Sequence, residues 1–419
     1  MKKKLLSVLL AVCMILTLAP MAMAEPATTM SAWDGNSREA IPQVNGQYQI
    51  STPAQLAQLA VDVNGGNDYD GETIVIQCDI DLGNSTFTPI GTRDNPFMGT
   101  IEGTLQADDT YPTIKNATIS DSNDIINVGV FGFVQDGTVQ NLVFSGITVD
   151  SNANVSSGLL DPTESSTGVA VGALKDGIIN NVIVESNCSV TGILRTGGIS
   201  GDISGTGQII NCTNSATVIG ESDYTGGITG AAHNAPTTAS AYGATITECE
   251  NRGTVSGTSS VGGIVGYADR AHVSDCNNNA SITGTGNYGT GGIVGANVYN
   301  IYRVFIANRK PTVATTIDRC NNSGTIFAPR AGGILGAYFS APGDAQPDTR
   351  LDCVITDCDN SGTVTGTKVG AIFGYQISYA KGDNDSDINN MGVVIRSCEN
   401  TNAGISNLSG SNCSVTIEG

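Results

Sequence analysis

Gly262-Gly263-Ile264-Val265-Gly266 returns 29 residues later as Gly291-Gly292-Ile293-Val294-Gly295. Between the two copies stand Asp275-Cys276-Asn277 and a β-like run, Ala280-Ser281-Ile282-Thr283-Gly284. This three-part unit recurs with variation from about residue 128 to the end. A period this short constrains the fold more than any other feature. One unit is too small to close a core, so each must bury its apolar face on the next.

The glycine element appears at residues 128–132, 168–172, 197–201, 226–230, 262–266, 291–295, 332–336 and 370–374. An apolar residue, two polar ones and usually a cysteine follow it, as in Val273-Ser274-Asp275-Cys276 and Ile317-Asp318-Arg319-Cys320. Next comes N-x-G-T-[VI], clearest at Asn251–Val255, Asn322–Ile326 and Asn360–Val364. Short strands joined by Gly and Asn turns, stacked unit on unit, give parallel sheets with backbone bonds running between repeats. The expected fold is therefore all-β: a right-handed parallel β-helix, a three-sided solenoid with a short N-terminal capping helix. An up-and-down barrel would need two-residue hairpin turns, which are scarce. A propeller would need four strands in each unit of about 40–45 residues.

Four segments are expected. Residues 1–24 read as a signal peptide: Lys2, Lys3 and Lys4, an apolar run from Leu5 to Leu18, and Ala22-Met23-Ala24 as cleavage site. Val12 ahead of Cys13 argues against a lipid anchor, and neither a later membrane span nor a sorting sequence is apparent. Residues 25–70 form a leader with one helix, Ser51 to Gly65. Thr52 is its N-cap, Gln55 completes a capping box, and Leu56, Leu59, Ala60 and Val63 share one face. That helix suits the end of a sheet stack, which needs a lid. Residues 71–127 hold the first coils, with strand-like runs at 73–77, 80–82, 100–105 and 113–119. Residues 128–419 are repeat coils, and residues 405–419 look like one more turn.

The whole chain has 19 basic and 39 acidic residues. Without the three signal lysines the balance is 16 against 39, a net charge near −23. Such a charge favours neither nucleic acid nor anionic membranes as partners. The expected location is secreted or cell-surface.

The pairing of G-[GV]-[ILF]-x-G with I-x-x-C-x-N-x-G-T-V resembles the GLUG repeat of bacterial surface and secreted proteins. Residues 48–52 (YQIST), 79–82 (DIDL) and 89–91 (PIG) also resemble the leader found ahead of such repeats. The resemblance covers most of residues 46–405, with residues 128–132 a marginal member because Val stands where the doubled glycine would be. It implies a right-handed parallel β-helix and an extracellular place in adhesin-like or protease-associated proteins.

The chemistry-bearing residues are sparse. Cys212, Cys249, Cys276, Cys320, Cys358 and Cys398 hold one place in six consecutive repeats, which predicts an inward ladder of thiols. Disulfides and a metal are the alternatives, with Cys353 and Cys358 as the most plausible odd pair. His233 and His272 are expected in turns after the glycine element, as polar loop residues. Asp383-Asn384-Asp385-Ser386-Asp387 has the alternation of a calcium loop. Ile388 stands where its Gly belongs and Val394 where its Glu belongs, so a solvated acidic loop is preferred. No catalytic, cofactor-binding or metal residue is assigned, and no cofactor is expected beyond that calcium alternative.

Insertions at Ala231–Ala244, Ala296–Thr316, Ala337–Val354 and Tyr375–Val393 should leave one corner and gather on one face. One carries Tyr299, Tyr302, Arg303, Phe305, Arg309 and Lys310, an aromatic and basic set on an acidic chain; recognition and simple cover of the coil are both open readings. The expected function is a non-enzymatic binding, adhesion or structural module contacting extracellular glycan or protein. The alternatives are a carbohydrate-active β-helix enzyme (pectate-lyase-like or glycoside hydrolase) and the scaffold portion of a larger surface protease. A β-helix enzyme needs clustered carboxylates with Lys or Arg, whereas Asp275, Asp318 and Asp357 stand singly.

Overall fold

A computed structural model describes residues 33–120, 126–151, 165–233, 243–298, 314–340, 353–378, 393–401, 409 and 415–418. One turn shows the plan. It runs through strands Val265–Asp269, His272–Ser274, Asn277–Asn278, Ile282–Gly284 and Thr290–Gly291. Each pairs in parallel with its counterpart in the next turn: Val265 with Val294, Val273 with Ile317, Asn278 with Asn322, Ile282 with Ile326 and Gly291 with Gly332. The chain is a parallel β-helix.

Three strands per turn were expected, and five short pairings are found. The second side is broken at the residue before each ladder cysteine, which takes a left-handed conformation. Its φ is 52° at Asn211, 56° at Glu248, 55° at Asp275, 49° at Arg319, 52° at Asp357 and 48° at Ser397. A left-handed residue cannot continue a strand, so the chain turns a corner there. The expected third side likewise divides in two.

The glycine elements build one eight-stranded sheet: Phe131–Gln135, Val171–Lys175, Ser200–Ser204, Thr229–His233, Val265–Asp269, Val294–Val298, Leu335–Ser340 and Phe373–Ser378. Six of the eight elements carry an isoleucine at their centre, each fully buried, and the backbone N–H of Ile199, Ile228, Ile264, Ile293 and Ile334 donates to the next isoleucine carbonyl at 2.9–3.1 Å. Burying each such side chain contributes about 1.5–3 kcal/mol.

Two more ladders run inside. The thiols of Cys212, Cys249, Cys276, Cys320, Cys358 and Cys398 each donate to the carbonyl two residues back, at 3.1–3.3 Å, and more weakly to an Ile or Val carbonyl of the preceding turn. Beside them Asn214, Asn251, Asn278 and Asn322 are fully buried, and each Nδ2 donates to the Oδ1 of the next asparagine at 2.8–2.9 Å. The same amides donate to the carbonyl two residues on, in Ala216, Gly253, Ala280 and Gly324. A buried polar side chain is tolerated only when paired in this way.

At the start, helix α1 (Pro53–Asn64) has the expected capping box: Gln55 N–H donates to Thr52 Oγ1 and Thr52 N–H to Gln55 Oε1, both at 3.2 Å. Leu56, Leu59, Ala60 and Val63 are buried and join Ile50, Ile74 and Ile80 in one continuous core with the coils. The leader is more ordered than its lack of period implied. Gln43–Val44 and Gln47–Ile50 form an antiparallel hairpin around Asn45 and Gly46, both at positive φ, as a tight two-residue turn requires. At the other end Val415–Glu418 pairs in parallel with Val393–Arg396, so the last residues do add a turn.

Candidate functional site

The site follows from two columns of side chains set by register. The first column lies two residues ahead of each glycine element: Arg195, Tyr224, Ser260, Gly289, Arg330 and Lys368. The pairings Thr196–Thr225, Thr225–Val261, Val261–Thr290, Thr290–Ala331 and Arg330–Lys368 stack these positions on one corner. The second column projects from the outer face of the eight-stranded sheet: Phe133, Ala173, Asp202, Ala231, Tyr267, Ala296, Ala337 and Tyr375, paired turn by turn. These outer residues are covered, apart from the half-buried Tyr375.

The corner stores strain. Arg195, Tyr224 and Ser260 have φ of 40°, 62° and 51°, and Gly289 has 98°. Left-handed backbone at bulky residues costs on the order of 1–3 kcal/mol and is concentrated at functional positions. Here it aims the first column over the second. A Cβ on Gly289 would lie 2.4 Å from the Cβ of Ala337, which marks the direction of that aim.

The paired columns change character along their length. At one end Asp202 accepts from His233 Nε2 at 3.0 and 3.3 Å, with Arg195 Nη1 at 3.6 Å, and all three residues are buried. Burial by itself would raise the Asp202 pKa. The His233 and Arg195 charges outweigh that and hold it at about 2. Among the described residues, His233 Nδ1 is buried with no hydrogen-bond partner. In the middle, Tyr224 and Tyr267 rings pack with centroids 4.8 Å apart in a small cluster separate from the main core. Asp269, in register with His233, takes a two-pronged pair from Arg270 at 3.1–3.2 Å. At the far end Arg330 Cζ and Lys368 Nζ both sit 4.4 Å from the Tyr375 ring centroid.

The structure relocates several sequence expectations. His233 is a buried strand residue beside Asp202, not a turn residue, because the strand runs on to the third residue beyond Gly230. His272 is likewise in a strand, with Nδ1 2.6 Å from Thr316 Oγ1, and burial lowers its pKa. None of the nine described cysteines is in a disulfide; Cys353 opens a strand and Cys358 holds its rung of the ladder, so the odd pair is not formed. Burial pushes the thiols of Cys212 and Cys276 well above the ordinary range, and that of Cys188 to about 11. Asp383 to Asp387, and Tyr299, Tyr302, Arg303, Phe305, Arg309 and Lys310, lie outside the described residues. Among the described residues no three His, Cys, Asp or Glu side chains are grouped to hold a metal ion.

The insertions do start from one edge. Strands ending at His233, Val298, Ser340 and Ser378 are stacked in the same sheet. The chain leaves all four on the side opposite the Arg195–Lys368 column, so the outer sheet face lies between that column and the insertion points. Sequence reading missed both columns, although a signal existed: each position keeps a fixed offset from the glycine element.

Comparison with known proteins adds three findings. Residues 257–283, about one coil, match the family model of the GLUG motif. None of the curated proteins compared matches the chain. A solved structure from Bacteroides ovatus, described as a candidate immunoglobulin A1 protease, is similar at 19% identity over 80% of this chain and 84% of that one, with a TM-score of 0.46.

Proposed function

We propose that the protein is a secreted or surface-exposed, non-enzymatic recognition module that binds extracellular glycan or protein across the flank of its coil. One observation carries this reading: the four in-register strands that precede the insertions end at His233, Val298, Ser340 and Ser378, across the outer sheet face from a column of Arg, Tyr and Lys. Aromatic and Arg side chains are the residues that concentrate binding energy. Their placement on a rigid sheet means that little ordering has to be done when a ligand arrives.

A glycan array and an extracellular-protein panel, probed with the purified chain, test the reading. Saturable binding to at least one ligand, without turnover, is expected. Binding to neither panel, or turnover of any polysaccharide, overturns it.

A second reading, a polysaccharide-cleaving enzyme, draws on one observation only: Asp202 orients His233, whose Nδ1 is buried and has no partner among the described residues. A general base needs such an orienting partner. Polysaccharide turnover that disappears in His233→Gln would establish this reading in place of the first.

A further inference from the structure

We infer that the corner formed by Arg330, Lys368 and Tyr375 is a binding site for the anionic group of an acidic saccharide, a sugar carboxylate or sulfate ester. The inference rests on the recognition reading above and names its ligand class.

Arg330 and Lys368 occupy directly paired positions on adjacent strands. Like charges placed opposite one another on a sheet destabilise it. Elsewhere on the flank such cations are neutralised, Arg195 by Asp202 and Arg270 by Asp269. Among the described residues these two have no carboxylate partner. Arg330 Nη1 donates to the carbonyl of Asn287 at 2.8 Å, and both cations lie against the Tyr375 ring. The chain has 39 acidic and only 19 basic residues, so two facing cations with no acid beside them among the described residues run against its composition. An anion bridging them removes the repulsion, and the ring already fixes their positions, so little side-chain freedom is lost on binding.

The surroundings favour a sugar over an acidic peptide. The neighbouring outward residues, Ala296 and Ala337, are fully covered, so no apolar pocket opens beside the cations for a peptide side chain. What is offered is Phe327, an aromatic residue 62% exposed on the strand that precedes Arg330, three residues ahead of it. An exposed aromatic residue one strand ahead of paired cations suits a pyranose carrying an acid group.

The test uses the full chain in titration calorimetry with four probes: an oligogalacturonate, a heparin-derived oligosaccharide, a neutral cello-oligosaccharide of equal length, and polyglutamate. At least one acidic saccharide is expected to bind, more weakly as salt rises, while the neutral one and polyglutamate do not; which acidic probe binds separates carboxylate from sulfate recognition. Arg330→Gln/Lys368→Gln should weaken that binding at least about tenfold, since each charge-assisted contact is worth roughly 1.5–3 kcal/mol. Phe327→Ala, at an exposed position, should weaken it less and unfold at the same temperature as the parent. No binding to either acidic saccharide, equal binding of polyglutamate, or an unchanged affinity in a folded double variant overturns the site. If the chain instead binds a neutral glycan or a protein, this inference fails while the recognition reading stands. If an acidic saccharide binds at these residues and is cleaved, the site stands and the non-enzymatic reading fails.

Discussion

A Cβ on Gly263 would lie 2.5 Å from Cγ of the Asn278 side chain and 2.0 Å from the carbonyl oxygen of Gly292. The same meeting recurs between Gly198 and Asn214, Gly227 and Asn251, Gly292 and Asn322, and Gly333 and Asn360. The second glycine of the doublet and the asparagine of the N-x-G-T element are thus one device. The missing side chain of the first makes room for the amide ladder of the second. Gly263→Ala should therefore cost about 1–3 kcal/mol through overpacking against immovable backbone. Asn278→Ala should cost a similar amount, because Asn251 Nδ2 and Asn322 Oδ1 each lose a partner. Urea unfolding of both variants checks this; parental midpoints would refute it.

The thiol ladder makes a chemical prediction. The ladder cysteines are reduced; burial raises the pKa of the Cys212 and Cys276 thiols, whereas hydrogen bonds from neighbouring thiols outweigh burial and lower those of Cys249 and Cys320, so it is enclosure in the coil that keeps reagents from the ladder. An aromatic disulfide reagent should label few of them in the native protein and most after unfolding. Two or fewer labelled thiols in the unfolded chain would rule the ladder out.

Acid should attack the Asp202 cluster. Its carboxyl has an ordinary pKa of 3.8 and a folded value of about 2. A depressed folded value means stability that is complete above pH 4 and lost as pH falls towards 2. The difference corresponds to roughly 2 kcal/mol. Asp202→Asn removes this pH dependence and leaves Arg195 buried without its carboxylate, a loss of about 3–5 kcal/mol at neutral pH. Unfolding followed from pH 6 to pH 2 in parent and variant measures both; equal slopes would contradict the assignment.

The Tyr224–Tyr267 pair is separate from the main core, so its energy can be isolated. A double-mutant cycle of Tyr224→Ala and Tyr267→Ala should give a coupling of about 0.5–1.5 kcal/mol. Additive effects would mean that the rings only share a neighbourhood.

Much of this architecture is legible in the sequence, for a physical reason. A residue that must fit against its own counterpart in the next turn recurs at a fixed place, so Ile264, Cys276 and the doubled glycines declare themselves by repetition. Helix α1 was legible because Thr52, Pro53 and Gln55 satisfy its free backbone donors locally. The outward column is harder to see, since its residues differ from turn to turn: Arg195, Tyr224, Ser260, Gly289, Arg330 and Lys368 share a position but no chemistry. Variation at one offset inside an otherwise strict repeat is itself the mark of an outward column, and only the register turns it into neighbours. His233 was misplaced because the glycine element was read as ending at Gly230, whereas the strand continues to the third residue beyond it.

The isoleucine-to-isoleucine backbone chain has an evolutionary consequence. Ser200 stands over Thr229 and Val265 over Val294, each a step of 29 residues, and every rung presents the same surface above and below. Excising or duplicating residues 262–290 would join like to like at the seam, Val261 meeting Gly291 as it now meets Gly262. Molecular length is thus free to drift by whole storeys through unequal recombination, while the offsets that place the flank's side chains are inherited intact.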